Sequence, residues 1–350
     1  MTGQQTPLAD VKFDPEYTPG ARNAVRSCLR IQPDEKVTLI TDRASLEIAA
    51  SLARELAQLG APYHAWILEE LAPRPLVDMP RAILDDMETS HVSIYAVRAQ
   101  PNELPTRMQM TDVVNRRRMR HAHMVNIDRR IMLEGMRADF AEVDRISTQV
   151  WQMASRAREI RATTPAGTEI VGRFSPRLKW LKTSGIISPH KWGNLPGGET
   201  FTAPERVEGT FVIDGVVGDY LCEKYGDLRD TPLTIQIREN RLREAHSSNK
   251  RLEEDFWRYC HTDENSDRVG EFAIGTNVAV RDVIGNILQD EKIPGIHIAF
   301  GNPYGAHTGA DWYSATHIDV VGRKFDVWID GRQIMHAGAF LLDSLVPPAV

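Results

Sequence analysis

The chain has only three cysteines, Cys28, Cys222 and Cys260, far apart and without a C-x-x-C pair. That scarcity excludes a disulfide framework and a zinc ribbon, and it fits a reducing compartment. No apolar run approaches the roughly 20 residues needed to cross a bilayer, so no membrane-spanning helix is expected. The polar opening stretch from Met1 to Pro19 has no positive segment followed by an apolar one, so it does not read as a secretory leader and a cytoplasmic location is expected. A basic excess is missing too: 42 Lys and Arg against 48 Asp and Glu give −6, so nothing global attracts a polyanion and no nucleic-acid partner is expected. One local exception is the cluster Arg116, Arg117, Arg118, Arg120, Arg129 and Arg130, which reads as a solvated, ion-paired face.

A chain of 350 residues is long enough for about two domains. The first half alternates strand and helix. Val37–Thr41 is an apolar strand, Leu46–Leu59 has helical apolar spacing stopped by Gly60, and Tyr63–Leu68 and His91–Ala96 are further strands. That order predicts a parallel α/β sheet. Helices are expected over Thr111–His123 and Asp139–Arg161, the latter broken by Thr164-Pro165-Ala166-Gly167. Beyond it, short β-branched or aromatic runs dominate: Glu169–Phe174, Glu208–Gly215, Pro232–Ile237, Val269–Ile274, Ile296–Phe300 and His317–Ile329. One helix, Ser248–Tyr259, interrupts them, and Asp330-Gly331 is a hairpin turn signal. The expectation is an N-terminal parallel α/β domain over 1–165 and a β-rich, metal-binding catalytic domain over 166–350.

The chemistry-bearing residues lie in the second half. In His317-Ile318-Asp319, alternate strand residues project to one face, delivering an imidazole nitrogen and a carboxylate oxygen into one small volume. His297 and Glu271 each stand at the head of a run that otherwise reads as core, and Glu199 follows the turn Pro196-Gly197-Gly198. A carboxylate opening a buried strand is costly unless it meets a cation. Three carboxylates and two imidazoles suit two divalent metal ions of the zinc, cobalt or manganese type.

Four segments resemble those of the M29 metallopeptidases, the family of aminopeptidases T and S. They are Gly198–Pro204, Gly270–Asn277, Asn286–Lys292 leading into His297–Gly301, and His317–Asp319. The resemblance spans most of residues 160–340, and the N-terminal half matches only loosely. It implies that Glu199, Glu271, His297, His317 and Asp319 hold two metal ions, that Tyr304 assists catalysis, and that the protein is a homodimer. Glu271 is the expected bridging ligand and proton acceptor. The expected activity is hydrolysis of an N-terminal peptide bond or a small-molecule amide. A more distant similarity is to 2,5-dihydroxypyridine dioxygenases, which implies the alternative: one Fe(II) on His297, His317 and Asp319, cleaving a hydroxylated aromatic ring. Glu199 and Glu271 favour the hydrolase. His307, Asp311 and His336 read as loop or turn residues, His261 as a helix-end residue, and His121 and His123 as part of an arginine-rich helix without carboxylate partners.

Overall fold

The computed structural model describes residues 8–342; the first seven residues of the polar opening stretch and the last eight of the chain lie outside them. The chain forms two compact units, one made of 1–141 with 185–197, the other of 142–184 with 198–350. The division therefore falls at 141/142 rather than near 165, and a short segment returns to the first unit. The mixed α/β class is as expected.

In the first unit five strands run in the order Tyr63–Ile67, Val37–Thr41, Val92–Val97, Arg120–Val125, Gly193–Asn194, parallel throughout. Helix Leu46–Leu59 buries Ile48, Ala49, Leu52, Ala53 and Leu56. It ends where Gly60 enters the left-handed region at φ 81°, as the sequence predicts. The arginine-rich stretch is not one helix. Helix Leu104–Arg117 stops at Arg118, itself left-handed at φ 52°, and Arg120–Val125 is a strand. Sheet pairing on both flanks overrides the helical propensity of the preceding residues. As expected of an ion-paired face, Arg116 pairs with Glu88, Arg120 with Glu35, and Arg129 with Asp14.

His121 and His123 thus sit on a buried strand, side by side on one face. His121 Nδ1 lies 2.8 Å from Ser93 Oγ and its Nε2 lies 3.1 Å from His123 Nδ1. His123 stacks on Tyr95 at 5.5 Å. Burial presses both pKa values down, that of His121 to about 3, so both rings are neutral parts of the core.

The second unit begins within helix Phe140–Ala154, after which Glu159–Thr163 is a strand; the expected helix over 139–161 is shorter because Ile160 and Ala162 alternate inward. An eight-stranded antiparallel sheet runs Arg241–Ser247, Leu233–Arg238, Arg206–Ile213, Glu169–Arg173, Glu159–Thr163, Asp326–Ile329, Arg332–His336, Ala339–Phe340. Asp330 and Gly331, both at positive φ, make the expected hairpin turn. A second antiparallel sheet runs His317–Val321, Gly295–Gly301, Val269–Gly275, Glu199–Thr202, Leu181–Thr183. Phe272, Ile274, Ile296, Ile298, Phe300, Ile318 and Val320 on this sheet share one apolar core with Ile160, Ile170, Phe211, Ile235 and Val327 of the eight-stranded sheet. Even-numbered residues of the three adjacent strands His317–Val321, Gly295–Gly301 and Val269–Gly275 therefore face the core, which leaves the odd-numbered ligand candidates on the opposite face. Among the described residues no helix is long and apolar enough to cross a membrane.

The buried neutral His121 has a consequence for acid stability. Its pKa is about 3 when folded against an ordinary 6.5, so between those values the unfolded chain takes up a proton that the folded chain refuses. Stability must fall as pH drops through that window. Thermal unfolding followed from pH 7 to 4 should show a shallower decline in His121→Gln than in wild type; an unchanged slope would refute the buried neutral pair.

Candidate metal centre

The odd-numbered face of the five-stranded sheet collects all five residues expected as ligands. Cross-strand register places Glu271 opposite Ala299, and Ala299 opposite Asp319. His297 lies opposite Ala273, and Glu199 opposite Gly275. The positions between ligands are thus alanine or glycine, and these small side chains keep the space above the sheet open. A register shift between Val269 and Glu271 marks a bulge, which turns the start of this strand. It depends on Gly270, where a Cβ would lie 2.4 Å from the Gly301 carbonyl oxygen.

The ligand atoms converge. His297 Nε2 is 3.3 Å from Glu271 Oε1 and 3.5 Å from Glu199 Oε2. His317 Nε2 is 3.8 Å from Glu271 Oε2 and 3.5 Å from Asp319 Oδ1. Two ligands bound tetrahedrally at about 2.1 Å stand about 3.4 Å apart, so these separations are those of donors around a common ion. His297 Nε2 and Asp319 Oδ1 are buried and have no hydrogen-bond partner. Orphaned polar atoms of this kind are expensive unless something meets them, and the donor set of imidazole nitrogens and carboxylate oxygens fits a divalent metal.

Three candidate ligand groups emerge, each with donor atoms within 4.8 Å of one another: Glu199, Glu271, His297; Glu271, His317, Asp319; and Glu291, His297, Asp319. Glu271 belongs to the first two. Its two oxygens face different histidines.

The surroundings fix these side chains. His317 Nδ1 is 3.0 Å from the Asn302 carbonyl, which accepts its proton and leaves Nε2 free for the site. Asn302 Oδ1 accepts from the Tyr304 backbone N–H at 2.9 Å. Tyr304 takes up a left-handed conformation, and its ring lies 4.6 Å from that of His317. The Thr183 hydroxyl donates to Glu199 Oε1 at 2.8 Å, and Lys292 Nζ reaches the same oxygen at 2.7 Å and Glu291 Oε1 at 2.5 Å.

Electrostatics reflect the crowding of acids. Burial opposes charge on His317, but Asp319 and Glu271 outweigh it and hold its pKa at about 10. The same contest, won by Glu271 and Glu199, raises His297. Burial raises Glu271, with the Glu199 and Asp319 charges adding to it and His297 and His317 working against it. Burial lifts Glu291 to about 8 despite Lys292. Glu199 and Asp319 are lowered against burial by their cations, chiefly Lys292 and His317. Tyr304 is 40% exposed as a residue, yet desolvation and the four carboxylates push its hydroxyl well up, so it keeps its proton.

Sequence reasoning missed Glu291, Lys292 and Thr183. The first two stand in the Asn286–Lys292 segment, and their polar character at a helix end is unremarkable by itself. The lesser candidates stay apart from these ligand groups. His307 and Asp311 are exposed, His336 pairs with Asp326 at 2.9 Å, and His261 contacts the Trp257 carbonyl at 2.7 Å.

Solved structures that share this fold include the following two. A 2,5-dihydroxypyridine dioxygenase from Pseudomonas putida KT2440 is 13% identical, with a TM-score of 0.68 over 93% of this chain and 96% of that one. Wild-type AmpT from Thermus thermophilus is 17% identical, with a TM-score of 0.67 over 93% of this chain and 99% of that one. The fold alone does not separate these two. A search of functionally curated proteins finds no match. Residues 141–323, just over half of the chain and including every ligand candidate above, match the family model of the thermophilic metalloproteases (M29), and the chain belongs to that metallopeptidase family.

Proposed function

We propose that this metal-dependent peptidase uses two divalent ions to hydrolyse an N-terminal peptide bond or a small-molecule amide. The observation that carries the reading is that two of the three candidate donor groups share Glu271, with Oε1 toward His297 and Oε2 toward His317. Glu199 and His297 would complete one position, His317 and Asp319 the other, with Glu291 in reach of His297 and Asp319. Zinc, cobalt or manganese would suit these donors, and such ions lower the pKa of a bound water and polarise a carbonyl.

The chain's own residues do the rest. Glu271, with one oxygen toward each position, would stand beside the attacking water, where a positioned carboxylate can take its proton. The protonated Tyr304 hydroxyl donates a hydrogen bond to the oxyanion that develops on the substrate carbonyl. Ala273, Ala299 and Gly275 leave room above the sheet for the substrate. A homodimer, which rests on the family resemblance, and a cytoplasmic setting, which rests on the scarcity of cysteine, belong to the same proposal.

The second reading, a ring-cleaving dioxygenase with one Fe(II), draws on His297, His317 and Asp319 and on the shared fold. It needs both histidines on one ion. Among the described residues the two fall into different ligand groups, and the extra carboxylates Glu199, Glu271 and Glu291 surround them, which favours the hydrolase.

Glu271→Gln should keep the fold and lose on the order of 10²–10⁴-fold in turnover on aminoacyl amides, the usual weight of a positioned general base. An active Glu271→Gln chain with full metal content would sink the assignment. Metal content measured together with anaerobic hydrolysis of a dipeptide and aminoacyl-amide panel separates the two readings. The hydrolase requires about two ions per chain and indifference to O₂; one iron and strict dependence on O₂ would replace it with the dioxygenase.

A further inference from the structure

Lys292 is the unusual member of the site. It is 1% exposed, and its backbone is tied on both sides. Its N–H donates to the Gln289 carbonyl at 2.8 Å, and its own carbonyl accepts from Asn277 N–H at 3.0 Å. The adjoining Ile293 carbonyl passes so close to Gly275 that a Cβ there would lie 1.9 Å from it. The ammonium is therefore delivered to one place. It claims Glu199 Oε1 and Glu291 Oε1, and Thr183 claims the same Glu199 oxygen. The other Glu199 oxygen, Oε2, is the one that faces His297.

Four carboxylates gather at this site, Glu199, Glu271 and Asp319 from the sheet and Glu291 from the end of a short helix. Among the described residues Lys292 is the one lysine or arginine that pairs with any of them. Without a metal, most of their mutual repulsion and desolvation must be met by this ammonium and the two histidines.

Building on the metal-centre reading above, we propose that Lys292 is a placeholder cation. It holds the acidic face assembled before metal arrives, and it competes with divalent ions for the carboxylates of Glu199 and Glu291. It is a positioning residue, acting through those two side chains. Linkage gives the sign. A contact that stabilises the metal-free chain more than the loaded chain lowers metal affinity by the same factor. Removing the charge should therefore weaken the metal-free fold and tighten metal binding, whereas a side chain that merely fills space would lower both states equally.

The test strips full-length wild type, Lys292→Met and Lys292→Arg with a chelator. Each is then titrated with Mn²⁺ and, separately, with Zn²⁺ against a fluorescent competitor, and thermal unfolding is followed with and without metal. Lys292→Met should unfold at a lower temperature when metal-free and gain more on loading. It should bind about tenfold more tightly, within the usual range of coupling between sites, while Lys292→Arg stays close to wild type. If Lys292→Met does not fold without metal, circular dichroism should recover as metal is added; failure to recover at saturating metal overturns the proposal. So does equal or weaker affinity in Lys292→Met, or a Lys292→Arg that behaves like it, and in those cases wild-type uptake leaves the metal centre intact. A wild type that takes up neither ion overturns both.

Discussion

Three carboxylates, Glu199, Glu271 and Asp319, share one face of an antiparallel sheet whose other face is hydrophobic core, a fourth, Glu291, joins them from the end of a short helix, and the second unit is organised around that constraint. The two faces are the two phases of a single alternation. In Gly270-Glu271-Phe272-Ala273-Ile274-Gly275 the even side chains Phe272 and Ile274 are fully buried in the apolar core, and the odd positions carry Glu271 and the small residues beside it. A slip of one residue in register would put the acids in the core and the aromatics in the site. The core therefore fixes the register, and the register fixes the site.

Acids packed this closely are unfavourable alone, and the structure offsets them in layers. His297 and His317 are driven toward the charged form, Lys292 is buried between two glutamates, and Thr183 and Asn302 satisfy the outward-facing atoms. Two buried candidate ligand atoms, His297 Nε2 and Asp319 Oδ1, still have no hydrogen-bond partner. That residue of unsatisfied polarity is what a divalent ion relieves, and its binding energy then contributes to the stability of this unit.

Much of this was legible in the sequence, for a definite reason. Glu271, His297, His317 and Asp319 interrupt strands that are otherwise apolar, and a period-2 reading puts polar residues of neighbouring strands on one face. Helix Leu46–Leu59 with its glycine stop, and the Asp330-Gly331 turn, were legible because their signals are local. What escaped depends on contacts distant in sequence. Glu291 caps a four-residue helix and Lys292 follows it, where polar residues are ordinary; the packing of Ile293 over Gly275 carries them into the site. The strand Arg120–Val125 follows directly on a helix, and its partners at residues 92–97 and 193–194 outweigh the local preference. The break at 141/142 escaped for a similar reason: Glu159–Thr163 looks like the end of a helix until its pairing with Glu169–Arg173 and Asp326–Ile329 is known.

The proposed centre sets Glu271 between two ions. Anomalous diffraction at the manganese edge, from crystals of the full chain soaked in Mn²⁺, tests it most directly. Two peaks are expected on this face of the sheet, one beside His297 and Glu199 and one beside His317 and Asp319, with an oxygen of Glu271 on each. A single peak held by both histidines and Asp319, with Glu271 unengaged, would contradict it.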